Sequence, residues 1–129
     1  MNTKTISEQD KIKAIAFQND VFRSEIGSNK SYYPSIKGQC VFSMDISYLP
    51  KEHINEIIYR TREFNGFDKY NDPLGEHKKG RFYYGAINKD VVWEIYYYDA
   101  GFGKVPSPDP SDTTLTYRDL RITLEPRLE

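Results

Sequence analysis

Hydrophobic residues recur at helical spacing in two segments of the chain. The first segment has its apolar face at Ile12, Ile15, Ala16, Asn19 and Phe22. Ser7 stands at the position of an N-cap before this face, so we predict a helix from about Ser7 to Arg23. The second segment has its apolar face at Ile54, Ile57, Ile58, Thr61 and Phe64. Because Pro50 suits a first helical turn, the second helix is expected from about Pro50 to Phe64.

Alternation of apolar and polar residues predicts four strands. The alternating segments are Gln39–Ser47, Arg81–Ile87, Val91–Asp99 and Thr113–Leu124. A tight reversal at Asn88-Lys89-Asp90 would join the second and third strands into a hairpin. The last strand alternates imperfectly, and a bulge near Asp119 would restore its register. The segments 67–80 and 100–112 follow neither period and are rich in turn-forming residues, which predicts two long loops.

These elements predict an α+β fold. Its sheet is expected to be mostly antiparallel, with about four strands, and the two helices are expected to pack on one face of it. The length of 129 residues suits a single domain over residues 1–129, and no linker or internal repeat divides the chain.

Composition narrows the classes of function. The 18 basic and 19 acidic residues give a net charge of -1, so no general field draws the chain to nucleic acid or to an anionic membrane. Cys40 is the only cysteine, which excludes an intramolecular disulfide and a thiolate metal cluster. The N-terminal residues do not resemble a signal peptide, and no apolar run is long enough to span a membrane. We therefore expect a cytoplasmic protein.

Three motifs point to a family. The run Asn71-Asp72-Pro73-Leu74-Gly75-Glu76-His77 is followed by Trp93-Glu94-Ile95-Tyr96-Tyr97-Tyr98-Asp99 and then by Asp109-Pro110. This combination, NDPxGEH followed by WxIxYYD, resembles a bacterial domain of unknown function, number 3768, from the first helix onward. The resemblance implies a small bacterial protein, often carried on plasmids and other mobile elements, and it implies no established activity.

The NDPLGEH run is the first candidate site. Asp72, Glu76 and His77 offer two carboxylates and an imidazole within six residues, and Asp99 or His53 would add another group if the fold brought it near. Such a set suits a divalent metal or acid–base chemistry. The structural alternative is an Asx-type turn before Pro73, a positive φ at Gly75, and hydrogen bonds from Glu76 and His77 to backbone or tyrosine hydroxyls. A third possibility is that the loop binds a partner.

An aromatic sheet face is the second candidate. The chain holds 11 Tyr and 7 Phe, and Tyr96 and Tyr98 lie on the opposite side of their strand from Trp93. With Tyr84 or Tyr83 from the paired strand, they would form an exposed patch of the kind that partners bind, unless the loop 100–112 covers them. The candidate binding residues are Tyr84, Trp93, Tyr96, Tyr98, Lys104 and Asp109.

Other chemistries have weaker support. Arg118, Arg121 and Arg127 with Lys104 suggest phosphate contacts, but Asp119, Glu125 and Glu129 interrupt them, so nucleic-acid binding is not expected. Cys40 lies within a predicted strand and is expected to be a small buried residue rather than a nucleophile. The sequence contains no G-x-S-x-G elbow and no glycine-rich phosphate loop.

Three functions from different classes remain. The first is a non-enzymatic binding protein, and given the mobile-element association its concrete version is a phage or plasmid inhibitor of a host defence complex, such as an anti-CRISPR protein. The second is a small metal-dependent or acid–base enzyme centred on the NDPLGEH loop. The third is a self-associating module, a homodimer in which the last strand or the tyrosine face pairs across a two-fold axis. A protein partner is expected, and a cofactor is not.

Overall fold

The computed structural model describes residues 3–28 and 33–128, with side chains from residue 8 onward. The elements are α1 (Thr3–Ser24), β1 (Lys37–Phe42), α2 (Met44–Ser47), α3 (Lys51–Glu63), β2 (Lys79–Tyr84), β3 (Lys89–Asp99) and β4 (Thr116–Pro126). No helix in the described ranges combines the length and apolar character needed to cross a bilayer.

The four strands form one mixed sheet in the order β1-β4-β3-β2. β3 pairs antiparallel with both β2 and β4, whereas β4 pairs parallel with β1. The α+β class and the four strands are confirmed, and two of the three strand pairings are antiparallel as expected. Because β4 has a neighbour on each side, the last strand has no free edge at which a second copy could add a strand.

A short helix replaces the end of the first predicted strand. β1 ends at Phe42, and α2 begins at Met44, so the prediction of a strand reaching Ser47 is wrong, as is the count of two helices. The Asp45 carboxylate accepts hydrogen bonds from the Ser43 hydroxyl and the Ile46 N–H, and such local bonds compete with strand pairing. Within α2, Ile46 is fully buried, whereas Met44 is 71% exposed.

The two long helices agree with their predicted positions. α3 matches the expected range to within one residue at each end. α1 begins at Thr3, four residues before the expected start, so Ser7 lies within the helix and the prediction that it is the N-cap is wrong.

The hairpin is confirmed, but its turn lies earlier in the chain than expected. β2 ends at Tyr84 and β3 begins at Lys89, so residues 85–88 make the reversal rather than residues 88–90. Asn88 adopts a φ of 53°, a left-handed conformation that asparagine tolerates better than most residues.

No bulge interrupts β4. Its pairing with β3 is continuous from Asp99↔Thr116 to Lys89↔Pro126, so the predicted bulge near Asp119 is wrong. The alternation looked imperfect because an arginine occupies a core position. Arg118 points inward with Leu120 and Ile122, and all three are fully buried, while Tyr117 lies on the other face.

The helices cover one face of the sheet and leave the other uncovered. The core contains Ile26, Ile46, Ile57, Tyr84, Val91, Trp93, Ile95, Leu120 and Ile122. These residues pack the layer formed by the three helices against the face of the sheet that carries Trp93. We call the opposite face, which carries Tyr83, Tyr96, Tyr98 and Tyr117, the open face.

The closeness of this packing predicts the effect of one added methyl group. A Cβ at Gly80, which pairs with Trp93 across the hairpin, would lie 2.6 Å from the Trp93 Nε1 and 2.7 Å from the Phe64 ring. We expect Gly80→Ala to lower the free energy of unfolding by about 1–3 kcal/mol, as overpacked core substitutions do. Urea denaturation measures this effect. Gly103→Ala is the control, since nothing lies within 4 Å of its Cβ, and an equal loss in both variants would contradict the packing described.

Candidate functional site

The NDPLGEH run forms a loop that is hydrogen-bonded to itself. We call residues 71–77, between α3 and β2, the signature loop. The Asp72 Oδ1 accepts the backbone N–H of His77 at 3.2 Å, which closes the loop. Gly75 has a φ of 77°, so the positive φ predicted there is confirmed, and His77 also has a positive φ of 56°. Positive φ at a non-glycine residue costs free energy, which the surrounding contacts must supply.

His77 lies between two carboxylates. Its Nδ1 is 3.0 Å from the Asp20 carboxylate of α1, and its Nε2 is 3.8 Å from the Asp72 Oδ2. The imidazole also stacks on the Phe67 ring, with centroids 4.1 Å apart and planes 3° from parallel. Because the carboxylates face opposite nitrogens of the ring, the three groups do not converge on one point. In residues 3–28 and 33–128, no three His, Cys, Asp or Glu side chains are arranged to hold a metal ion.

Asp20 also connects the signature loop to a buried arginine. The Arg23 Nη2 donates to Asp20 at 3.1 Å, and its Nη1 donates to the carbonyls at the end of α3. These acceptors are the carbonyl oxygens of Thr61, Arg62 and Phe64, at 2.8, 3.0 and 2.9 Å. Burial lowers the pKa of Arg23, and the Asp20 charge opposes that shift. One guanidinium therefore joins α1, the C-terminus of α3 and the His77 side of the loop.

A second network holds Glu76. The Tyr97 hydroxyl donates to the Glu76 Oε1 at 2.9 Å and accepts from the Asn19 Nδ2 at 2.8 Å. The same Asn19 amide donates to the Glu76 carbonyl at 2.9 Å, and its Oδ1 accepts from the Arg118 Nε at 2.7 Å. Burial raises the pKa of Tyr97, with smaller effects from these neighbours. Glu76 is thus bound by the polar side chains of α1 and β3.

Arg118 is a fully buried cation without an ion pair in the described part of the chain. Its Nη2 donates to the Pro110 carbonyl at 3.1 Å, and its guanidinium lies 5.4 Å from the centre of the Tyr97 ring. Its Nη1 has no hydrogen-bond partner among the described residues. Desolvation lowers the pKa of Arg118 to about 10. Its side chain is fully buried, so it cannot take part in the phosphate contacts that a basic surface patch would require.

The segment between β3 and β4, residues 100–115, is anchored to α1. We call this segment the flap. Asp109 forms an ion pair with Lys11 at 3.4 Å, and the Gln18 side-chain amide donates to the Ser111 carbonyl at 2.8 Å. The Ser111 hydroxyl donates to Asp109 and is the largest cause of the lowered pKa of that carboxyl. Asp109, predicted as a binding residue, therefore holds the flap in place.

The predicted catalytic residues are only partly brought together. Asp72 reaches His77, whereas Glu76 turns toward Tyr97. Asp99 lies at the start of the flap, where its Oδ1 accepts the N–H groups of Gly101 and Phe102 at 2.7 and 3.0 Å. His53 is also separate, since its Nδ1 is hydrogen-bonded to the Tyr84 hydroxyl at 2.7 Å.

Several residues of the network were not predicted. These residues are Asn19, Asp20, Arg23 and Arg118. A signal for two of them exists in the sequence. Asn19 continues the apolar face of α1 although it is polar, and Arg118 stands at an inward position of β4 once Leu120 and Ile122 fix the register. A polar residue on an apolar face indicates a buried hydrogen-bond network.

The open face has a smaller aromatic surface than predicted. Tyr83 and Tyr96 are 42% and 39% exposed, and Tyr98 and Tyr117 are half-buried. Tyr84 and Trp93, predicted as binding residues, are 5% and 0% exposed and belong to the core. Their burial follows from the alternation of the strands, because both point toward the helices.

The flap leaves Tyr96 exposed. It runs beside the end of β3, where Pro106 forms a bridge with Tyr98 and the Ser107 N–H donates to the Tyr97 carbonyl at 3.1 Å. It then turns toward α1, as the contacts of Asp109 with Lys11 and of Ser111 with Gln18 indicate. The alternative in which this loop covers both tyrosines is therefore wrong for Tyr96.

Charge on the open face is distributed unevenly. Asp90 and Glu125 both pair with Arg81, at 2.7 and 2.6 Å, and Asp119 pairs with Arg121 at 2.9 Å. Three lysines on or beside this face have no ion pair within the described ranges. They are Lys37, Lys79 and Lys104. The carboxylates of this face are thus mostly engaged, while part of its positive charge is free.

Cys40 has the character of a structural thiol. Burial, and secondarily the Asp119 charge, raises the pKa of its thiol to about 12. Since the thiolate is the reactive form, we expect iodoacetamide at pH 8 to modify folded Cys40 at least about 100-fold more slowly than in urea. Mass spectrometry of timed samples measures the two rates. Similar rates in the folded and unfolded chains would contradict the environment described.

Neighbouring tyrosines offer a matched test of the Glu76 network. Tyr97→Phe removes the hydroxyl that bridges Asn19 and Glu76, and we expect a loss of about 1–3 kcal/mol in the free energy of unfolding. Tyr96→Phe is the control, because the Tyr96 hydroxyl contacts only Glu94 at 3.4 Å, and a change below about 0.5 kcal/mol is expected. Urea denaturation compares the two. Equal losses would show that the network contributes nothing specific.

Comparison with known proteins gives one match. The chain matches a family model described as Protein of unknown function (DUF3768) over residues 42–125. Neither a curated protein nor a solved structure matches the chain. The match includes the signature loop, Tyr97 and Arg118, but it begins at Phe42, so the expected extent from the first helix onward is too long. α1, which supplies Asn19, Asp20 and Arg23, lies outside the matched residues. The chain belongs to the DUF3768 family of proteins of unknown function.

Proposed function

We propose that this protein is a non-enzymatic binding protein and that the open face is its contact surface. The observation that carries the proposal is the one-sided packing of the sheet. All three helices pack on the Trp93 face, and the opposite face presents tyrosines and basic side chains to solvent. A sheet face of this composition suits a protein interface, because Tyr and Arg are enriched among residues that dominate binding energy.

Two arginine–tyrosine pairs support this surface. The Arg127 guanidinium lies 4.4 Å from the centre of the Tyr83 ring, and the Arg121 guanidinium lies 5.3 Å from that of Tyr96. Stacking of this kind holds long side chains in place before binding, so less conformational entropy is lost when a partner contacts them. Tyr83 and Tyr96 thus form the most exposed part of a partly ordered aromatic surface.

The charge of the open face favours an acidic protein surface as partner. Lys37, Lys79 and Lys104 have no ion pair among the described residues, whereas Asp90, Glu125 and Asp119 are already paired. An acidic partner would complement the free lysines and would be attracted over a distance. A second copy of the chain would instead bring lysine toward lysine, which disfavours the homodimer. Nucleic acid is disfavoured by the carboxylates that stand among the basic groups.

The geometry of the signature loop favours a structural role over catalysis. Both ring nitrogens of His77 face carboxylates, and its ring is stacked on Phe67, so the imidazole is held rather than presented to a substrate. Only Asp72 of the three candidate carboxylates lies beside it. A general acid or base needs a free path to the proton that it transfers, and these contacts leave little room for one.

The resemblance adds a specific partner to this proposal. A chain carried by a phage or plasmid would encounter a host defence complex, and an inhibitor of such a complex, for example an anti-CRISPR protein, acts by binding. Capture from a lysate that contains a CRISPR effector, compared with capture from one that does not, tests this partner.

The proposal is tested by affinity capture with surface variants. We compare three tagged proteins, namely the wild type, the Tyr83→Ser/Tyr96→Ser variant and the Tyr48→Ser/Tyr59→Ser variant. Each is tested in a bacterial lysate with a CRISPR effector and in one without, before and after nuclease treatment. The control removes two tyrosines that are more exposed, at 80% and 57%, but lie in the helical layer. We expect an acidic protein captured in stoichiometric amount by the wild type and the control, and reduced at least about tenfold by the open-face variant.

Three results would contradict the proposal. Equal capture by both variants would exclude the open face, and loss of capture after nuclease treatment would indicate nucleic acid as the partner. An absence of stoichiometric capture, together with a dimer in light scattering, would favour the self-associating module. Circular dichroism of each variant separates a lost interaction from a lost fold.

A further inference from the structure

The open face contains a polar cavity next to β1 and β4. It has a volume of about 370 Å³ and is lined by Gln39, Tyr98, Gly103, Lys104, Tyr117, Asp119 and Arg121. β1, β3 and β4 supply its floor, and the flap supplies one wall through Gly103 and Lys104. A cavity of this size is at the lower end of the range for small-molecule sites.

The lining combines two cations with hydroxyl and amide groups. Arg121 uses its Nε to contact Asp119, which leaves the two terminal nitrogens of the guanidinium as donors. Lys104 is exposed and has no ion pair in the described ranges. The Tyr98 and Tyr117 side chains are neighbours across β3 and β4. These groups suit a ligand with at least one carboxylate.

Asp119 adds a second property to the cavity, a buried carboxylate oxygen that lacks a hydrogen-bond donor. Its side chain is 5% exposed, and although its Oδ2 accepts from Arg121 at 2.9 Å, its Oδ1 has no hydrogen-bond partner in the described residues. A buried carboxylate oxygen without a donor is costly, and a donor that reached it would recover part of that cost. The Arg121 and Gln39 side chains beside it are exposed, so a modest side-chain movement would open the way to Oδ1.

We propose that this cavity binds an acidic α-amino acid such as glutamate. The α-ammonium group would be held by Asp119, and the two carboxylates by Arg121 and Lys104, with the tyrosine hydroxyls and Gln39 completing the polar contacts. A ligand with one positive and two negative groups complements a lining with one negative and two positive groups. A simple anion leaves the Asp119 Oδ1 without a donor, and a cation meets repulsion from Lys104. This site stands on the cavity alone and does not depend on a protein partner for the open face.

The experiment compares three probes by NMR. The ¹⁵N-labelled protein is titrated with L-glutamate, with glutarate, which lacks the ammonium group, and with L-lysine, each up to about 20 mM, a range that detects millimolar dissociation constants. The backbone amide of Gly103 and the side-chain amide of Gln39 report on the cavity. We expect saturable shifts with glutamate. Glutarate should bind at least about tenfold more weakly, because it lacks the charge-assisted hydrogen bond from the ammonium group to Asp119. Lysine should give no saturable shift, because its side-chain ammonium group is repelled by Lys104.

Two variants test the assigned roles. Asp119→Asn is expected to weaken glutamate binding at least about tenfold and to remove the preference over glutarate, since the attraction for the ammonium group is gone. Lys104→Met is expected to weaken glutamate and glutarate alike, and its exposed side chain makes no contact that the fold needs. Lys13→Met is the control, because Lys13 is exposed on α1, outside the cavity and the open face, and its replacement should leave binding unchanged.

The proposal is overturned by any of three results. Glutamate that produces no saturable shift at Gly103 and Gln39 excludes the site. Shifts that are equal for glutamate and lysine, or that persist unchanged in Lys104→Met, show non-specific binding. If Asp119→Asn fails to fold, the Lys104→Met titration and the comparison of glutamate with glutarate in the wild type still decide the matter.

Discussion

The burial of the Arg118 guanidinium is the constraint on which the arrangement around the signature loop depends. A buried cation is very costly unless acceptors surround it, and Arg118 finds them in Asn19 of α1 and the Pro110 carbonyl of the flap. No carboxylate pairs with it in the described part of the chain. Because neutral dipoles replace a counter-ion, several must be in place together, and their positions fix α1 and the flap relative to β4.

The two buried arginines connect different parts of the fold: Arg23 connects α1 to α3, and Arg118 connects β4 to α1 and the flap. Arg23 binds the carbonyls at the end of α3 and lies 4.8 Å from the Trp93 ring, while Arg118 lies against Tyr97 two strand positions beyond Ile95. The signature loop lies between them, with His77 connected to one arginine through Asp20 and Glu76 connected to the other through Tyr97 and Asn19. His77 and Glu76 thus complete hydrogen-bond networks that the buried charges of Arg23 and Arg118 require.

Most of the secondary structure followed from periodicity, and the failures have physical causes. α3 was predicted to within one residue because its apolar face and Pro50 agree. α2 was missed because local Ser43 and Asp45 hydrogen bonds, which a period-two pattern does not register, end the strand. The bulge predicted in β4 is wrong because Arg118, a residue type that is rarely buried, occupies an inward position there.

The candidate site was predicted less well than the fold. The sequence places Asp72, Glu76 and His77 within one loop, but it does not show that His77 contacts Asp20 or that Glu76 contacts Tyr97. Asp20 lies 57 residues from His77, and Asn19 lies 99 residues from Arg118. Alternation separates Tyr83 and Tyr96 from Tyr84 and Tyr97, but only tertiary packing decides which of these two faces the helices cover.

The position of β4 has a consequence for synthesis on the ribosome. β1 finds its strand neighbour in β4, whose residues emerge about eighty positions later, and β3 also lacks that neighbour until then. While the chain is being made, the β2–β3 hairpin can form early. β1, which has one apolar side, has no strand to hydrogen-bond with until β4 is synthesised. Long-range parallel pairing of this kind slows folding, and a nascent chain that ends before Thr116 presents two unsatisfied strands to whatever lies nearby.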